Sequence, residues 1–463
     1  MKFYLRSFLL VLLLGTSIQP LFAQTLADKV GQMIMVGYIN GEAAMDTLIT
    51  DITERNLGGV IHFGYNITGR QQIADRNADL QSMANIKLFL ATDQEGGRVA
   101  RLNANNGFKT TSTAAFTGMV LNSVESTRNQ AEEMAGWFDE IGMNVNLGPV
   151  VDVNVNSSSP AIGALQRSYS ADPLKVAAHA RAFINAFSEK NVATALKHFP
   201  GHGSAMADSH FGFTDITNTW TEMELVPYSI LIQEEQPDMI MTGHLFNENL
   251  DPDYPASISY NTLHSLLFDS LGYTGIVISD EMFMRALRDN FTFDEAIVLA
   301  INAGTDILLF NNNQCTVNAP CGDETSGSLV RYVINLVEQK VEDGEIQLER
   351  IDASYQKVLD LKETKFTTHI RSNDLPVSTV LHQNYPNPFN PTTTIQFDMP
   401  ESGYAKIVVY DLMGRVIRQL ADGNFNVGTH RVTLDASNMA SGVYIYTLRT
   451  EAGLQTRNMT LIK

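Results

Sequence analysis

Between residue 25 and about residue 365 the chain alternates short apolar runs with amphipathic stretches, and this alternation constrains its fold more than any other feature. Strongly apolar runs separated by helical patterns indicate parallel strands that helices cover on both faces. The eight predicted strands are residues 32–37, 59–63, 88–92, 145–149, 193–197, 239–242, 275–279 and 306–310. The predicted helices are residues 46–54, 71–83, 123–141, 173–189, 222–234, 259–270, 293–303 and 328–343.

Eight such units over about 340 residues predict a (β/α)8 barrel of the TIM type, an α/β fold of this size. An open, doubly wound sheet is the alternative that the pattern alone allows. Since no glycine-rich phosphate-binding fingerprint follows the first predicted strand, the dinucleotide-binding form of that alternative has little support.

Ionisable residues follow five of the predicted strands. These residues are Asp93, Asp152, Lys197 with His198, His244, and Asp280. Because the carboxyl ends of barrel strands face one rim, where barrel active sites lie, we expect these side chains to converge there. Burying so many charges in a core without a purpose would be costly, so the sequence predicts a functional cleft at this rim.

Residues 197–210 concentrate one lysine, three histidines and an aspartate among glycine and proline. The spacing of His198 and His202 could indicate a zinc pair on a helix, but Pro200 lies between them, so no metal site is predicted. The structural alternative is that these histidines only form hydrogen bonds within a polar loop and have no part in chemistry. Asp208 lies two residues before His210, where its carboxylate can orient the imidazole and raise its basicity. His210 is therefore the candidate proton shuttle near neutral pH.

From about residue 366 the composition changes. Residues 367–383 are predicted as a linker, and residues 384–463 as a small all-β sandwich of the immunoglobulin-like kind. Its predicted strands are residues 394–397, 405–410, 416–421, 429–434 and 443–450. We interpret residues 24–366 as the catalytic domain.

The first 23 residues are typical of an export signal. Lys2 and Arg6 precede a short apolar stretch at 8–14, and Ala23 offers a cleavage point.

The net charge of −19 argues against nucleic acid and anionic membranes as partners. In an exported protein Cys315 and Cys321 could close a small surface disulfide, with two unpaired thiols as the alternative.

The loop at 197–210 resembles, in order and spacing, the signature loop of the β-N-acetylglucosaminidases of glycoside hydrolase family 3, and the resemblance extends from about residue 25 to residue 365. It implies that Asp280, in the segment 279–284, is the nucleophile of a retaining hydrolase, and that Asp208 and His210 form an acid/base dyad. It implies no cofactor. The implied sugar-binding residues are Asp93, Arg101, Arg167, Lys197, His198 and His244. At residues 169–170 the chain has Tyr-Ser where many relatives have Phe-Gly, which puts the local loop shape in doubt.

The last 80 or so residues resemble the C-terminal sorting domain of the type IX secretion system in the segments 385–389, 409–414 and 441–444. This resemblance implies passage through the periplasm and across the outer membrane, followed by cleavage of the domain or attachment at the cell surface. A carbohydrate-binding or adhesion module is the alternative.

Two other functions stay open at this point. Some relatives with the same histidine transfer the sugar to phosphate, so the chain could be an N-acetylglucosaminide phosphorylase. It could also be an inactive surface protein that binds glycans. The expected substrate is a glycan that contains N-acetylglucosamine, either a peptidoglycan fragment or a chitooligosaccharide, and the sequence does not decide between them.

Overall fold

The structure is a computed structural model that describes residues 24–234, 237–316, 321–322, 327–366, 378–400, 402–425 and 428–463. The predicted export signal and residues 367–377 of the predicted linker lie outside the described residues. The chain divides into two compact units, one before and one after the boundary between residues 366 and 367.

Eight parallel strands close into a barrel in the first unit. They are β1 (Ile34–Val36), β2 (Gly59–Ile61), β3 (Phe89–Thr92), β4 (Val145–Asn146), β5 (Ala193–Phe199), β6 (Met239–Thr242), β7 (Ile276–Glu281) and β8 (Ile307–Phe310). Each strand pairs with its neighbours in sequence, and β8 pairs with β1 through Ile34 and Leu308. The predicted barrel is confirmed, and the open sheet is excluded.

Helices surround these strands close to the predicted positions. They are Glu42–Glu54, Arg70–Met83, Val124–Ile141, Pro173–Ser188, Val226–Glu234, Phe293–Ala303 and Leu329–Glu342, with a π-helical segment at Asn261–Ser270. Helices Leu26–Gln32 and Leu348–Phe366 were not predicted. The first of them ends at Gln32, which is why β1 begins later than the prediction. Its start is fixed by a capping box in which Thr25 Oγ1 accepts a hydrogen bond from the Asp28 N–H.

The inward-facing side chains of the strands fill the barrel, and the last helix closes its N-terminal end. Val358 and Phe366 pack against this interior core, and the Phe366 ring lies 5.9 Å from that of Phe89. At the same end Lys362 donates hydrogen bonds to Gln32 Oε1 at 2.7 Å and to the Gly58 carbonyl at 2.8 Å. Because this end is sealed, only the opposite end of the barrel is available for a cleft.

Cys315 and Cys321 form a disulfide bond. The expectation that it would lie at the surface is wrong, because both cysteines are buried in the apolar core that includes Leu329 and Val330. The bond therefore fixes the segment after β8 against the helix Leu329–Glu342.

The second unit consists of antiparallel strands in two sheets. The strands are β9 (Val380–Leu381), β10 (Thr392–Met399), β11 (Gly403–Tyr410), β12 (Val416–Phe425), β13 (Gly428–Asp435), β14 (Gly442–Thr450) and β15 (Gly453–Leu461). One sheet has the order β9-β10-β13, and the other has the order β12-β11-β14-β15. Phe397 of the first sheet and Tyr446 of the second lie in one core, so the predicted all-β sandwich is confirmed.

Strands β9 and β15 of this unit were not predicted. In β15 most side chains are polar and exposed, and only Met459 and Leu461 are fully buried, so the strand carries little apolar signal. Among the helices of the described residues, in either unit, none has the length and apolar character needed to cross a membrane.

Candidate active site

All nine predicted site residues lie at or just after the carboxyl ends of barrel strands. Asp93 and Arg101 follow β3, and Arg167 follows β4. Lys197 and His198 lie within β5, and the loop after β5 carries Asp208 and His210. His244 follows β6, and Asp280 lies near the end of β7. Contacts or electrostatic interactions connect the nine side chains into one cluster.

Asp93 lies between two cations on one side of the cluster. Its Oδ1 is 2.7 Å from Lys197 Nζ, and its Oδ2 is 3.3 Å from an Arg101 guanidinium nitrogen. Burial alone would raise the pKa of the Asp93 carboxyl, but these cations hold it well below its ordinary value. Asp93 is therefore ionised at every physiological pH and accepts hydrogen bonds only.

Glu95, which sequence reasoning did not place in the site, is the second carboxylate of this network. Arg167 binds it in bidentate fashion, with Nε 2.9 Å from Oε2 and a terminal nitrogen 2.8 Å from Oε1. Lys197 Nζ lies 2.7 Å from the same Oε1. Burial opposes ionisation of Glu95, but the two cations lower its pKa to about 2. Lys197 is thus held between two buried carboxylates.

The register of β5 explains how two consecutive residues reach one site. In a regular strand Lys197 and His198 would face opposite sides. The pairing of β5 with β6 shifts register between Leu196 and Phe199, so that strict alternation is interrupted over these two residues. Both side chains are buried, and both contact the cluster.

Asp152 orients His198. Its Oδ2 lies 2.7 Å from His198 Nδ1, and its Oδ1 accepts hydrogen bonds from the backbone N–H groups of His198 and His202 at 3.0 and 2.8 Å. Because an ionised carboxylate only accepts, His198 Nδ1 carries the proton in this contact. His198 Nε2 is then free to accept a hydrogen bond from Arg167, whose terminal nitrogen lies 3.3 Å away. Asp152 was noted as following a strand but was not among the predicted site residues.

Asp208 and His210 form the predicted pair. Nδ1 of His210 lies 2.7 Å from Asp208 Oδ1, which also accepts the His210 backbone N–H at 3.0 Å. This hydrogen bond raises the pKa of His210 and is the main cause that lowers the pKa of Asp208 to about 2. The His210 side chain is 60% exposed and that of Asp208 14%, so the histidine projects from the loop toward solvent while the aspartate anchors it.

Asp280 is held at a second irregularity, in β7. The pairing of β7 with β8 shifts register between Ile278 and Glu281. Asp280 Oδ1 accepts the Glu281 backbone N–H at 2.8 Å, whereas the nearest helix does not begin until Arg285, so Asp280 is not a helix N-cap.

The charge of Asp280 is favoured by its neighbours. Burial raises the pKa of this carboxyl, but three imidazoles and one backbone N–H outweigh burial and lower it overall. The imidazoles belong to His198, His244 and His210. Asp280 is therefore an ionised and partly exposed carboxylate, electrostatically coupled to the Asp208–His210 pair.

His244 contributes no exposed surface to the cluster. Its Nδ1 lies 2.6 Å from the Ser257 hydroxyl, and its Nε2 lies 2.9 Å from the Glu281 carbonyl oxygen. Because a carbonyl oxygen only accepts, Nε2 is the protonated nitrogen, and burial lowers the pKa of the ring. The structure places this histidine behind Asp280, against the backbone of β7.

The cluster thus combines an ionised carboxylate (Asp280), an exposed histidine with a raised pKa (His210) and a network of buried cations and carboxylates. Desolvated ion pairs of this kind are costly, and ionisable groups with perturbed pKa values that lie together are typical of functional sites. Among the described residues, no group of three or more His, Cys, Asp or Glu side chains is arranged to hold a metal ion.

Comparison with known families gives two matches. Residues 25–361 match the N-terminal domain of glycosyl hydrolase family 3, and residues 383–463 match a secretion system C-terminal sorting domain. The two matches fall on the barrel unit and the β-sandwich unit respectively.

Individual proteins of known sequence or structure are also similar to this chain. Beta-hexosaminidase A of Pseudoalteromonas piscicida is 33% identical over 62% of this chain and 53% of its own length. The beta-hexosaminidase of Tolumonas auensis is 35% identical over 56% of this chain and 76% of its own. A solved family 3 beta-N-acetylglucosaminidase from a Paenibacillus species superposes with a TM-score of 0.67 at 32% identity, over 74% of this chain and 63% of that one. The chain therefore spans about half the length of the first of these relatives.

Proposed function

Because this chain belongs to glycosyl hydrolase family 3, we propose that it hydrolyses terminal β-linked N-acetylglucosamine from oligosaccharides, with retention of configuration at the anomeric carbon. The observation that carries this proposal is the coupling of an ionised Asp280 to the Asp208–His210 pair within one cleft. A nucleophile and an oriented proton donor are the two groups that a retaining glycosidase requires.

In the first step an Asp280 oxygen attacks the anomeric carbon, and the bond from that carbon to the aglycone oxygen breaks. The protonated His210 ring gives its Nε2 proton to the departing oxygen, because Nδ1 is engaged by Asp208. The lowered pKa of Asp280 favours the ionised, attacking carboxylate, and the raised pKa of His210 favours the protonated donor.

In the second step water replaces the aspartate. The neutral His210 ring accepts a proton from a water molecule whose oxygen attacks the anomeric carbon, and the bond to Asp280 breaks. The sugar leaves with its original configuration, and both side chains return to their starting states. A histidine performs here the role that a second carboxylate has in most retaining enzymes.

The buried ion network serves the sugar hydroxyl groups. Asp93 offers carboxylate acceptors, while Lys197, Arg101 and Arg167 offer donors that their carboxylate partners hold in place. His198 presents Nε2 beside Arg167. His244 is assigned a supporting role, since both of its nitrogens already have protein partners.

Phosphorolysis is the second candidate reaction, and one observation favours it. The group proposed as general base in the second step is the neutral His210 ring, where most retaining enzymes have a carboxylate. An anionic phosphate that attacks the glycosyl-enzyme would therefore not be repelled by a negatively charged base. Turnover that depends on phosphate would establish this reaction in place of hydrolysis.

The test is release of p-nitrophenol from its β-N-acetylglucosaminide, with and without phosphate, by the wild type and by Asp280→Ala. We expect release that is independent of phosphate and falls at least about 1,000-fold in the variant. Binding of chitooligosaccharides without any release would make the chain an inactive glycan-binding protein. Activity that survives in Asp280→Ala would overturn the assignment of the nucleophile.

We further propose that the β-sandwich unit directs the chain to the cell surface or the medium through the type IX secretion machinery, with the first 23 residues as export signal. The sorting-domain match at residues 383–463 supports this route. Residues 24–366 are proposed as the catalytic domain and residues 367–383 as the linker, whose last part contributes strand β9 (Val380–Leu381) to the sandwich. In a bacterium with this machinery, loss of residues 384–463 should leave the enzyme inside the cell, whereas the intact chain should reach the outside.

A further inference from the structure

Glu224 lies beneath the start of the loop that carries the Asp208–His210 pair. It belongs to the short 3-10 turn Glu222–Leu225 and is fully buried. Its Oε2 accepts a hydrogen bond from the Gly203 backbone N–H at 2.8 Å. No part of the mechanism above uses this carboxyl group.

The backbone at residues 201–203 is fitted closely onto this side chain. A Cβ atom added at Gly201 would lie 2.5 Å from the Glu224 Cβ, and Gly201 has a φ of +129°. A Cβ atom added at Gly203 would lie 1.7 Å from the Val153 carbonyl oxygen and 3.2 Å from Glu224 Oε2. Glycine is required at both positions because the loop backbone lies directly against Glu224 and Val153.

The same loop has other attachments, among them hydrogen bonds from the Asn156 side chain to the Ala205 carbonyl at 3.2 Å and from the Trp220 indole to the Pro200 carbonyl at 3.1 Å. At its base, Asp152 accepts the His202 backbone N–H, and the Gly203 carbonyl accepts the Asn156 N–H at 3.0 Å. Near its tip, the Ser209 carbonyl accepts the Ala286 N–H at 3.3 Å. The Glu224 contact is therefore one of several that hold this loop, and it acts at Gly203, where the loop leaves the barrel.

The surroundings of the carboxyl group favour its neutral form. Burial raises the pKa of Glu224 to about 8, and the Asp152 charge raises it further, against the hydrogen bond from the Gly203 backbone N–H, which lowers it. The other polar group facing it is the buried Tyr228 phenol. Among the described residues, Glu224 Oε1 and Ser204 Oγ have no hydrogen-bond partner at ideal geometry. A protonated Oε1 would have Ser204 Oγ as a neighbouring acceptor.

We propose that Glu224 is a positioning residue: its carboxyl oxygen accepts the Gly203 N–H and thereby places the loop so that His210 reaches the glycosidic oxygen. This inference rests on the proposed function. The Glu224 hydrogen bond is to the backbone of the loop that carries His210, so we expect its loss to affect proton donation above all.

The test compares two substrates that differ in their need for a proton. The methyl β-N-acetylglucosaminide has a poor leaving group and requires protonation, whereas the 2,4-dinitrophenyl glycoside does not. For Glu224→Ala we expect kcat/KM to fall about 100-fold on the methyl glycoside and less than about 3-fold on the dinitrophenyl glycoside. Glu224→Gln, which keeps a neutral acceptor oxygen, should stay within about 3-fold of wild type on both substrates.

Glu224→Asp extends the test if the alanine variant does not fold, because it withdraws the carboxyl group from Gly203 by one methylene. It should show a smaller loss with the same preference between substrates. Asp51→Ala is the matched control, since Asp51 is a buried carboxyl that binds Ser328 and Arg55 away from the cleft. Its kcat/KM per folded molecule should equal that of the wild type.

Equal losses on the two substrates, or a glutamine variant as impaired as the alanine variant, would overturn the proposal. Unchanged activity of Glu224→Ala on the methyl glycoside would do the same. The failure of the proposed function is distinguishable, because in that case the wild type would hydrolyse neither substrate.

Discussion

Asp208 and His210 are joined twice: one carboxylate oxygen of Asp208 accepts both the ring Nδ1–H of His210 at 2.7 Å and its backbone N–H at 3.0 Å. The double contact fixes the ring relative to its own backbone and leaves Nε2 as the ring nitrogen that Asp208 does not occupy, which is the nitrogen we propose for proton transfer. The same contact stabilises the imidazolium form, so it sets both the direction and the pKa of the proton donor.

Asp208→Asn should therefore shift the pH dependence of activity. Without the carboxylate the pKa of His210 falls, the donor loses its proton at lower pH, and the alkaline limb of kcat/KM moves to lower pH. We expect a loss of about 10- to 100-fold at neutral pH. The pH–rate profile on p-nitrophenyl β-N-acetylglucosaminide measures both effects.

Asp215→Asn is the control for this prediction, because Asp215 is exposed. Its carboxylate accepts a hydrogen bond from the Thr217 backbone N–H and does not contact His210 in the part of the chain that the structure describes. Its profile should overlay that of the wild type. An Asp208→Asn profile with an unmoved alkaline limb would show that another group is the proton donor.

Glu95→Ala should destabilise the protein, because it leaves Arg167 and Lys197 buried with one carboxylate fewer. Removing one partner of a buried ion pair costs about 3–5 kcal/mol in the free energy of unfolding. Glu133→Ala breaks an exposed pair with Lys109 and should cost less than about 1 kcal/mol. Denaturant unfolding of the two variants measures the difference, and similar losses would contradict the assigned role of Glu95.

The sequence predicted the barrel well, since eight apolar runs separated by helical patterns leave few other folds. It also predicted that ionisable residues from several strand ends lie together, because the carboxyl ends of barrel strands face one rim. It also placed both Lys197 and His198 in the site, but it gave no reason why two consecutive strand residues should contact the same cluster. That depends on a register shift between β5 and β6, which is a property of the closed barrel and has no signal in the strand itself.

The partners of the site residues were harder to predict. Glu95 had a usable signal, since it lies two residues after Asp93 in an extended segment and so falls on the same side. Asp152 had the signal of following a predicted strand, but its role in orienting His198 had none, and neither had Glu224, because these hydrogen bonds join residues that are distant in the chain. A glutamate such as Glu224 in a helical pattern is ordinarily solvated, and only the packing of Gly201 and Gly203 against it shows its burial.

The Glu224 carboxyl should also make stability depend on pH. Its pKa is raised to about 8 in the folded state, so the folded chain holds a proton that the unfolded chain has released. The contribution of this group to the free energy of unfolding is fully present below the ordinary pKa of a glutamate, and it is lost as the pH rises to about 8. Melting temperatures between pH 5 and 8 should fall more steeply for the wild type than for Glu224→Gln. Parallel curves would show that Glu224 is already ionised in the folded protein.

The central claim is that Asp280 forms a covalent bond to the sugar, and trapping that bond tests it most directly. His210→Ala should react with 2,4-dinitrophenyl β-N-acetylglucosaminide, which needs no proton donor, and then stall for want of a base. We predict that the intact mass rises by one N-acetylhexosamine unit and that peptide mapping places the adduct on Asp280. An adduct on another residue, or release of dinitrophenol with no adduct at any time, would contradict the account.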